Sequence, residues 1–170
     1  VLNTLEVGNV GWKLAESSVS AHLDDDLLEL YSTRLHELTR QVESDHRLES
    51  PDVTVDQRSP ICGSTLTLDL SVDGETVTDI GYAVRACSLG QLGTAVLARQ
   101  LPGKSFAEAE RISAQIRQML KQEAEAPQGD WKDLELLLPA IDMRHRHGSA
   151  LLPFEAVCEA IAELRARKND

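Results

Sequence analysis

Pro60-Ile61-Cys62-Gly63-Ser64, a run of alternating residues to Val72, the pair Asp73-Gly74, and a second run closing on Ala86-Cys87-Ser88-Leu89-Gly90 decide the fold. From Ser64 to Val72, Leu66, Leu68, Leu70 and Val72 share one parity, and Thr65, Thr67, Asp69 and Ser71 take the other. That period of two is the mark of a half-buried strand. Asp73-Gly74 predicts a tight type I′ hairpin, whose central residues both need positive φ. The returning strand spans Glu75–Ala86, with Ile80, Tyr82, Val84 and Ala86 on one face. Val77 has the opposite parity, which predicts a bulge near Asp79 or Gly81. Folding back at the turn brings the far strand ends together, so Cys62 and Cys87 are expected at one end of the hairpin. Two thiols there suit a soft metal or sulfur chemistry. They suit equally well two small buried hydrophobes.

The chain has 170 residues, 42% of them hydrophobic and 26% charged, which fits one soluble domain with its own core. A formal net charge of −11 excludes a nucleic-acid partner recognised through its phosphates. Three widely spaced cysteines are no disulfide framework and point to a reducing compartment. No apolar run approaches the ~20 residues of a membrane span, and no signal peptide is recognisable. A cytoplasmic protein is the expectation.

Residues 1–23 are polar, with Trp12 as their one anchor, and read as a loosely ordered N-terminal extension to a domain of residues 24–170. Asp24-Asp25-Asp26 is expected to open a helix with Leu27, Leu28, Tyr31, Leu35, Leu38 and Val42 as its stripe. Asp45–Pro51 reads as a polar linker, and Val53–Val55 as a short strand beside the hairpin. A helix follows Cys87 to Leu101, with Gly90 and Gly93 permitting close packing. Pro102-Gly103-Lys104-Ser105 is not a phosphate loop, because Ala98 stands where that motif requires glycine. Gly103 instead ends one helix, and Ser105 with Glu108 forms a capping box for the next. That helix buries Phe106, Ala109, Ile112, Ile116 and Met119/Leu120. Trp131, Leu134, Leu137 and Leu138 predict a short helix stopped by Pro139. Arg144-His145-Arg146-His147 concentrates positive charge, and its two histidines are candidate metal ligands. The loop is equally readable as a solvated one that meets an anion or an acidic partner. Ser149 reads as the N-cap of the last helix, with Pro153 in its first turns. Cys158 falls on that helix's apolar stripe with Phe154, Val157 and Ile161 and is expected to be an inert core residue.

The Pro60–Gly63 corner, the Asp73-Gly74 hairpin, the Ala86–Ser88 corner, Gly103–Ser105 and the closing Leu151–Val157 helix follow one another in an order that resembles the U-type iron–sulfur cluster assembly scaffold family (SufU, IscU and the N-terminal domain of NifU). The resemblance covers roughly residues 27–165, and the Trp-containing insertion near Gly129–Leu138 is more similar to the SufU branch. It implies an α+β fold, a three-stranded mainly antiparallel sheet with helices packed on one face. It further implies a scaffold rather than an enzyme, binding iron, a [2Fe–2S] cluster or zinc, or accepting sulfur, with a cysteine desulfurase and other iron–sulfur assembly proteins as partners. The family's first two cysteines correspond to Cys62 and Cys87. Its aspartate falls on Ser64 and its third cysteine on Ser149, so two of four expected ligands are hydroxyls. His145, His147 or Ser149 would then fill the remaining positions of a metal site. The alternative is a ligand-depleted relative that keeps only an interaction surface.

Overall fold

The computed structural model describes residues 11–169, with side chains from residue 25. The expectations for Trp12 and for the rest of the extension's side chains fall outside the described residues. The backbone is helical from Gly11, so the first helix, α1 (Gly11–Thr39), starts well before the Asp24–Asp26 run. Contacts gather the chain into two compact units, the second beginning at Leu35. The expected stripe of α1 is buried only where it enters that second unit. Leu38 is fully buried, and Val42 follows it in a 3-10 turn (Arg40–Val42), whereas Leu27 and Leu28 are 61% and 65% exposed.

The second unit is built on β1 (Val53–Arg58), β2 (Thr65–Asp73) and β3 (Thr76–Arg85), antiparallel in the order β1-β2-β3. Leu66 pairs with Val84, Leu68 with Tyr82 and Leu70 with Ile80, so the apolar parity of both hairpin strands faces one way. Leu66, Leu68 and Leu70 are essentially inaccessible. Burying a leucine side chain contributes about 1.5–3 kcal/mol, which is what fixes the register. The hairpin turn sits one residue later than the Asp73-Gly74 pair suggests. Asp73 pairs with Thr76, the loop is Gly74-Glu75, and Gly74 alone has positive φ, +61°. Positive φ at the first central position only is the requirement of a type II′ turn. The bulge is real but falls at Thr78, because Ser71 pairs with Asp79 while Val72 pairs with Val77.

α2 (Ser88–Gln100) lies against β3, and α4 (His147–Lys168) covers β1 and β2 and packs on both α2 and α3 (Phe106–Gln122). Leu92, Leu97, Ile112, Ile116, Phe106 and Phe154 are the largest buried side chains of this layer. Ser105 caps α3 by accepting from the Glu108 N–H at 3.2 Å. The reciprocal half of the box is replaced by another bond. Glu108 Oε1 accepts from Trp131 Nε1 at 3.0 Å and ties down the 3-10 stretch Gly129–Ala140. That stretch runs through Pro139 instead of stopping there, since a 3-10 stretch of short turns can absorb a residue with no N–H.

The outer sheet face is not left open, as a polar linker at Asp45–Pro51 would leave it. His46 pairs with Tyr82 along the free edge of β3, donating its N–H to the Tyr82 carbonyl at 2.9 Å. Arg47 and Leu48 then cross the face above the row Thr54–Asp69–Gly81. A Cβ at Gly81 would lie 2.8 Å from the His46 carbonyl and from the Leu48 nitrogen, so glycine is what admits the crossing strand. Asp69 is wholly buried beneath it. Its carboxylate accepts from Arg47 Nε (2.6 Å) and Nη2 (2.9 Å), Thr54 Oγ1 (2.6 Å) and the Leu48 N–H (3.1 Å). Burial pushes the carboxyl pKa up, but these bonds, Arg47's first, outweigh it and hold the group below its ordinary range.

Candidate functional site

β1 ends at Arg58, Ser59 leads into a turn through Pro60–Cys62, and β2 begins after Ser64. Two backbone bonds close this turn: the Ser59 N–H to the Ser64 carbonyl at 2.8 Å, and the Gly63 N–H to the Ser59 carbonyl at 3.1 Å. Gly63 sits at φ +71°, a conformation that glycine adopts without strain. The turn leaves Ile61 and Cys62 exposed while Ser59 and Ser64 point inward and are buried. Across the hairpin, Cys87 is the N-cap of α2 with extended backbone and is half-buried. The two thiols therefore reach the same end of the hairpin, as the fold-back at the turn requires.

The third wall comes from the start of α4. This helix begins at His147, with Arg146 as its N-cap, so Ser149 lies inside its first turn and is no cap. Its hydroxyl is free to point into the site, and Ser149 is fully buried. Pro153 offers no N–H to the Ser149 carbonyl, and that carbonyl faces Gly90. A Cβ at Gly90 would lie 2.7 Å from the Ala86 Cβ, 2.9 Å from Ser149 Oγ and 3.1 Å from the Ser149 carbonyl. The glycine in α2 thus lets α4 bring Ser149 down to the Cys87 corner. Gly148 makes the same kind of room on the other side, where an added Cβ would lie 2.7 Å from Ser59 Oγ.

These pieces form one hydrogen-bonded chain. Cys62 Sγ lies 3.1 Å from Ser64 Oγ, Ser64 Oγ lies 3.1 Å from Ser149 Oγ, and Ser149 Oγ lies 3.1 Å from Cys87 Sγ. With Cys62 neutral, its S–H donates to Ser64. With Cys62 ionised the polarity reverses: Ser64 donates to the thiolate, Ser149 to Ser64, and Cys87 to Ser149. The hydroxyls can do this because each is both donor and acceptor. The Ser59 hydroxyl is buried with no partner in hydrogen-bonding geometry, and a buried hydroxyl left so costs free energy. Ser59, then Ser64, lower the Cys62 thiol pKa. Partial burial opposes them, the Ser64 backbone and the Ser149 hydroxyl add to the lowering, and the result is about 7. Ser59 is the site residue that sequence reading missed. A serine before a proline at a strand end carries no signature, and its role is visible only once Gly148 is seen packed on it.

The histidines are not part of this cluster. His145 is exposed in a 3-10 turn (Arg144–Arg146). His147 Nε2 lies 2.8 Å and 3.1 Å from the Ala140 and Ile141 carbonyls, so it donates there. The ring lines a separate groove with Leu120, Lys121, Ile141 and Arg144. Cys158 is half-buried rather than fully buried, because it lies at the edge of the α4 stripe while Phe154, Val157 and Ile161 fill its centre.

Zinc in proteins takes four donors, commonly thiolate, imidazole or carboxylate. The site offers two sulfurs and, at the other two positions, neutral hydroxyls already bonded to each other and to the sulfurs. Among the described residues no group of three or more His, Cys, Asp and Glu is placed to hold a metal ion. This donor set does not fit a resident zinc ion or cluster. What it can do is stabilise an ionised sulfur, exposed on one side and lined with O–H donors on the other.

The NifU-like N-terminal domain family matches residues 31–136. The zinc-dependent sulfurtransferase SufU of Bacillus subtilis is 24% identical over 140 residues, 78% of this chain and 95% of its own length. The iron–sulfur cluster assembly scaffold protein IscU of Streptococcus pyogenes is 24% identical over 107 residues, 63% of this chain and 67% of its own. The crystal structure of a NifU-like protein (N-terminal) from Brucella abortus superposes with a TM-score of 0.75 at 34% identity, covering 79% of this chain and 93% of that one. The expected fold, a three-stranded antiparallel sheet with helices on one face, is the one observed. No helix among the described residues is long and apolar enough to cross a membrane.

Proposed function

This chain belongs to the NifU-like N-terminal domain family of iron–sulfur cluster assembly proteins, and from that premise we propose that it works as a metal-free sulfur acceptor, with Cys62 as the accepting thiol. The observation that carries the reading is the environment of Cys62. It is the exposed thiol of the pair, set on a turn beside three inward-pointing serine hydroxyls, with a pKa lowered to about 7. It is then more ionised at neutral pH than an ordinary cysteine, and the thiolate is the form that attacks sulfur. A persulfide formed on Cys62 is an anion of the same kind, and the Ser59, Ser64 and Ser149 hydroxyls would serve its inner sulfur as they serve the thiolate. The donor is a cysteine desulfurase, by likeness to the relatives. The protein acts as a carrier, its own thiol being the acceptor. Ile61, 72% exposed beside Cys62, gives the donor an apolar foothold. The readings in which iron, zinc or a cluster is held by Cys62 and Cys87 with His145 or His147 are disfavoured by the donor set.

The test is sulfur loading of chelator-treated protein with a cysteine desulfurase and cysteine under argon, followed by peptide mass spectrometry. One added sulfur on the Cys62 peptide, absent in Cys62→Ser and undiminished by chelator, is the expected result. Loading that requires added zinc or iron overturns the metal-free reading. No loading under any condition leaves the chain as an interaction module of the assembly system.

A further inference from the structure

The site holds a second thiol that sulfur acceptance at Cys62 does not use. Cys87 is half-buried, on the opposite wall, and its sulfur lies 3.1 Å from the same Ser149 hydroxyl that supports the Cys62 side through Ser64. Three contacts of 3.1 Å link the two sulfurs through the Ser64 and Ser149 hydroxyls. Cys87 follows β3 by two residues and is the N-cap of α2. Cys62 sits on a turn that ends at Gly63, where no atom lies within 4 Å of an added Cβ. One thiol is exposed on a turn, and the other is half-buried at the start of a helix.

Resting on the sulfur-acceptor reading, we infer that Cys87 is a resolving thiol: it attacks the inner sulfur of a Cys62 persulfide, closes a Cys62–Cys87 disulfide and expels hydrosulfide. The reaction balances without an outside oxidant. The Cys62 persulfide anion and the Cys87 thiol give the disulfide and HS⁻. The bond from Sγ of Cys62 to the terminal sulfur breaks, and the bond from Sγ of Cys62 to Sγ of Cys87 forms. The Cys87 sulfur is oxidised from the thiol to the disulfide level, the Cys62 sulfur stays at that level, and the terminal sulfur is reduced to sulfide. The proton that Cys87 must lose is the proton the departing sulfide carries away. Ser149 and Ser64 form a hydroxyl chain from Cys87 toward Cys62 that can pass the proton on, because each hydroxyl can accept on one side while donating on the other. A dithiol reductant then restores both thiols. The geometry explains why two hydroxyls stand where a metal site would need anionic ligands. Hydroxyls relay a proton and leave the sulfurs free to meet, whereas a bound ion would hold both.

The experiment loads chelator-treated protein with inorganic polysulfide under argon, removes the excess, and follows released sulfide colorimetrically alongside the protein's mass. The natural protein is expected to lose its added sulfur in a first-order process whose rate does not depend on protein concentration. A Cys62–Cys87 disulfide should appear in the non-reducing peptide map in equal amount. Cys87→Ser and Cys87→Ala should keep the persulfide on Cys62 and release sulfide at least tenfold more slowly until a dithiol is added. Cys158→Ser should behave as the natural protein does. Release at an unchanged rate in both Cys87 variants, or release from the natural protein with no such disulfide, overturns the inference while leaving Cys62 as a sulfur acceptor. If Cys62 takes up no sulfur at all, both readings fail together.

Discussion

Replacing Ser64 by aspartate and Ser149 by cysteine tests whether the site's hydroxyls are what keep it from holding zinc. Ser149 is fully buried with its Oγ 3.1 Å from Cys87 Sγ and 3.1 Å from Ser64 Oγ. A cysteine there puts a third sulfur within reach of the first two. At zinc–sulfur bonds of about 2.3 Å, two thiolates on one tetrahedral ion are about 3.7 Å apart. The Ser149 oxygen that the new sulfur replaces lies 3.1 Å from Cys87 Sγ, so that pair starts near this spacing. Without metal the double variant carries added acidic groups in a buried cluster. Two unit charges 4 Å apart at an effective dielectric constant near 20 repel by about 4 kcal/mol, although protonation relieves much of this. The apo variant should therefore melt below the natural protein. Zinc at about 1,000 times its dissociation constant adds about 4 kcal/mol. For a chain of this length, 1 kcal/mol moves the melting temperature by about 2–4 °C, giving a zinc-dependent rise of about 8–16 °C in the variant. The natural protein should move by less than about 2 °C under the same conditions. Differential scanning calorimetry with and without zinc reads both, and the variant's shift should shrink as pH falls, because thiolates must be deprotonated to bind. An equal rise in the natural protein would refute the donor-set reasoning and return His145 or His147 to the site.

Iodoacetamide labelling of Cys62 against pH should show a half-maximal rate near pH 7, with Ser64→Ala and Ser149→Ala each moving the midpoint upward; a midpoint unmoved in both variants would show that the hydroxyls do not support the thiolate. Asp69→Ala should cost about 3 kcal/mol in urea unfolding, near the low end for a broken buried pair because Arg47 is half exposed and can turn to water. Since the folded Asp69 carboxyl is held low, its contribution is complete above the unfolded value of about 3.9 and is lost as pH falls through the folded one, so acid should destabilise the natural protein more steeply than the variant. Gly90→Ala places a Cβ 2.7 Å from the fixed Ala86 Cβ and 2.9 Å from Ser149 Oγ, and should destabilise by about 1 kcal/mol net, overpacking of about 1–3 kcal/mol being offset by the helix preference of alanine. A raised Cys62 labelling midpoint in that variant would show that Ser149 is displaced.

Much of this fold was legible because its signals are periodic. The alternation from Leu66 to Leu70 fixed which face is buried, and the apolar spacing of α2, α3 and α4 placed each helix's inner side. Boundaries were read less well wherever a neighbour outvotes local preference. The turn slipped to Gly74-Glu75 because one glycine suffices for a type II′ hairpin. Ser149 resembles a cap, yet α4 starts earlier, and the serine is drawn inward by the gap at Gly90. Asp45–Pro51 has linker composition, and nothing in it reveals that Asp69 and Gly81, distant in sequence, form its landing strip. The thiol pair was inferred from the hairpin alone. Its hydroxyl partners needed the tertiary fold, because Ser59, Ser64 and Ser149 come from a strand end, a turn and a helix.

The electrostatics of the site distinguish a holder of metal from a handler of sulfur. A cluster of three thiolates and a carboxylate is stable only around a cation, since each close pair of like charges costs several kcal/mol at protein-like dielectric. Such a site without its ion protonates, and protonated thiols are poor nucleophiles. Here Ser64 and Ser149 remove two of the four charges and leave dipoles that can turn either way. The cluster is then neutral when both thiols are protonated, and ionising Cys62 adds one charge, met by the Ser59, Ser64 and Ser149 hydroxyls. Ser149 Oγ lies 3.1 Å from both Ser64 Oγ and Cys87 Sγ, so the hydroxyl that supports the Cys62 side also touches the second thiol. That arrangement suits the proposed sulfur acceptance: one thiol faces solvent, and the other is half-buried on the opposite wall.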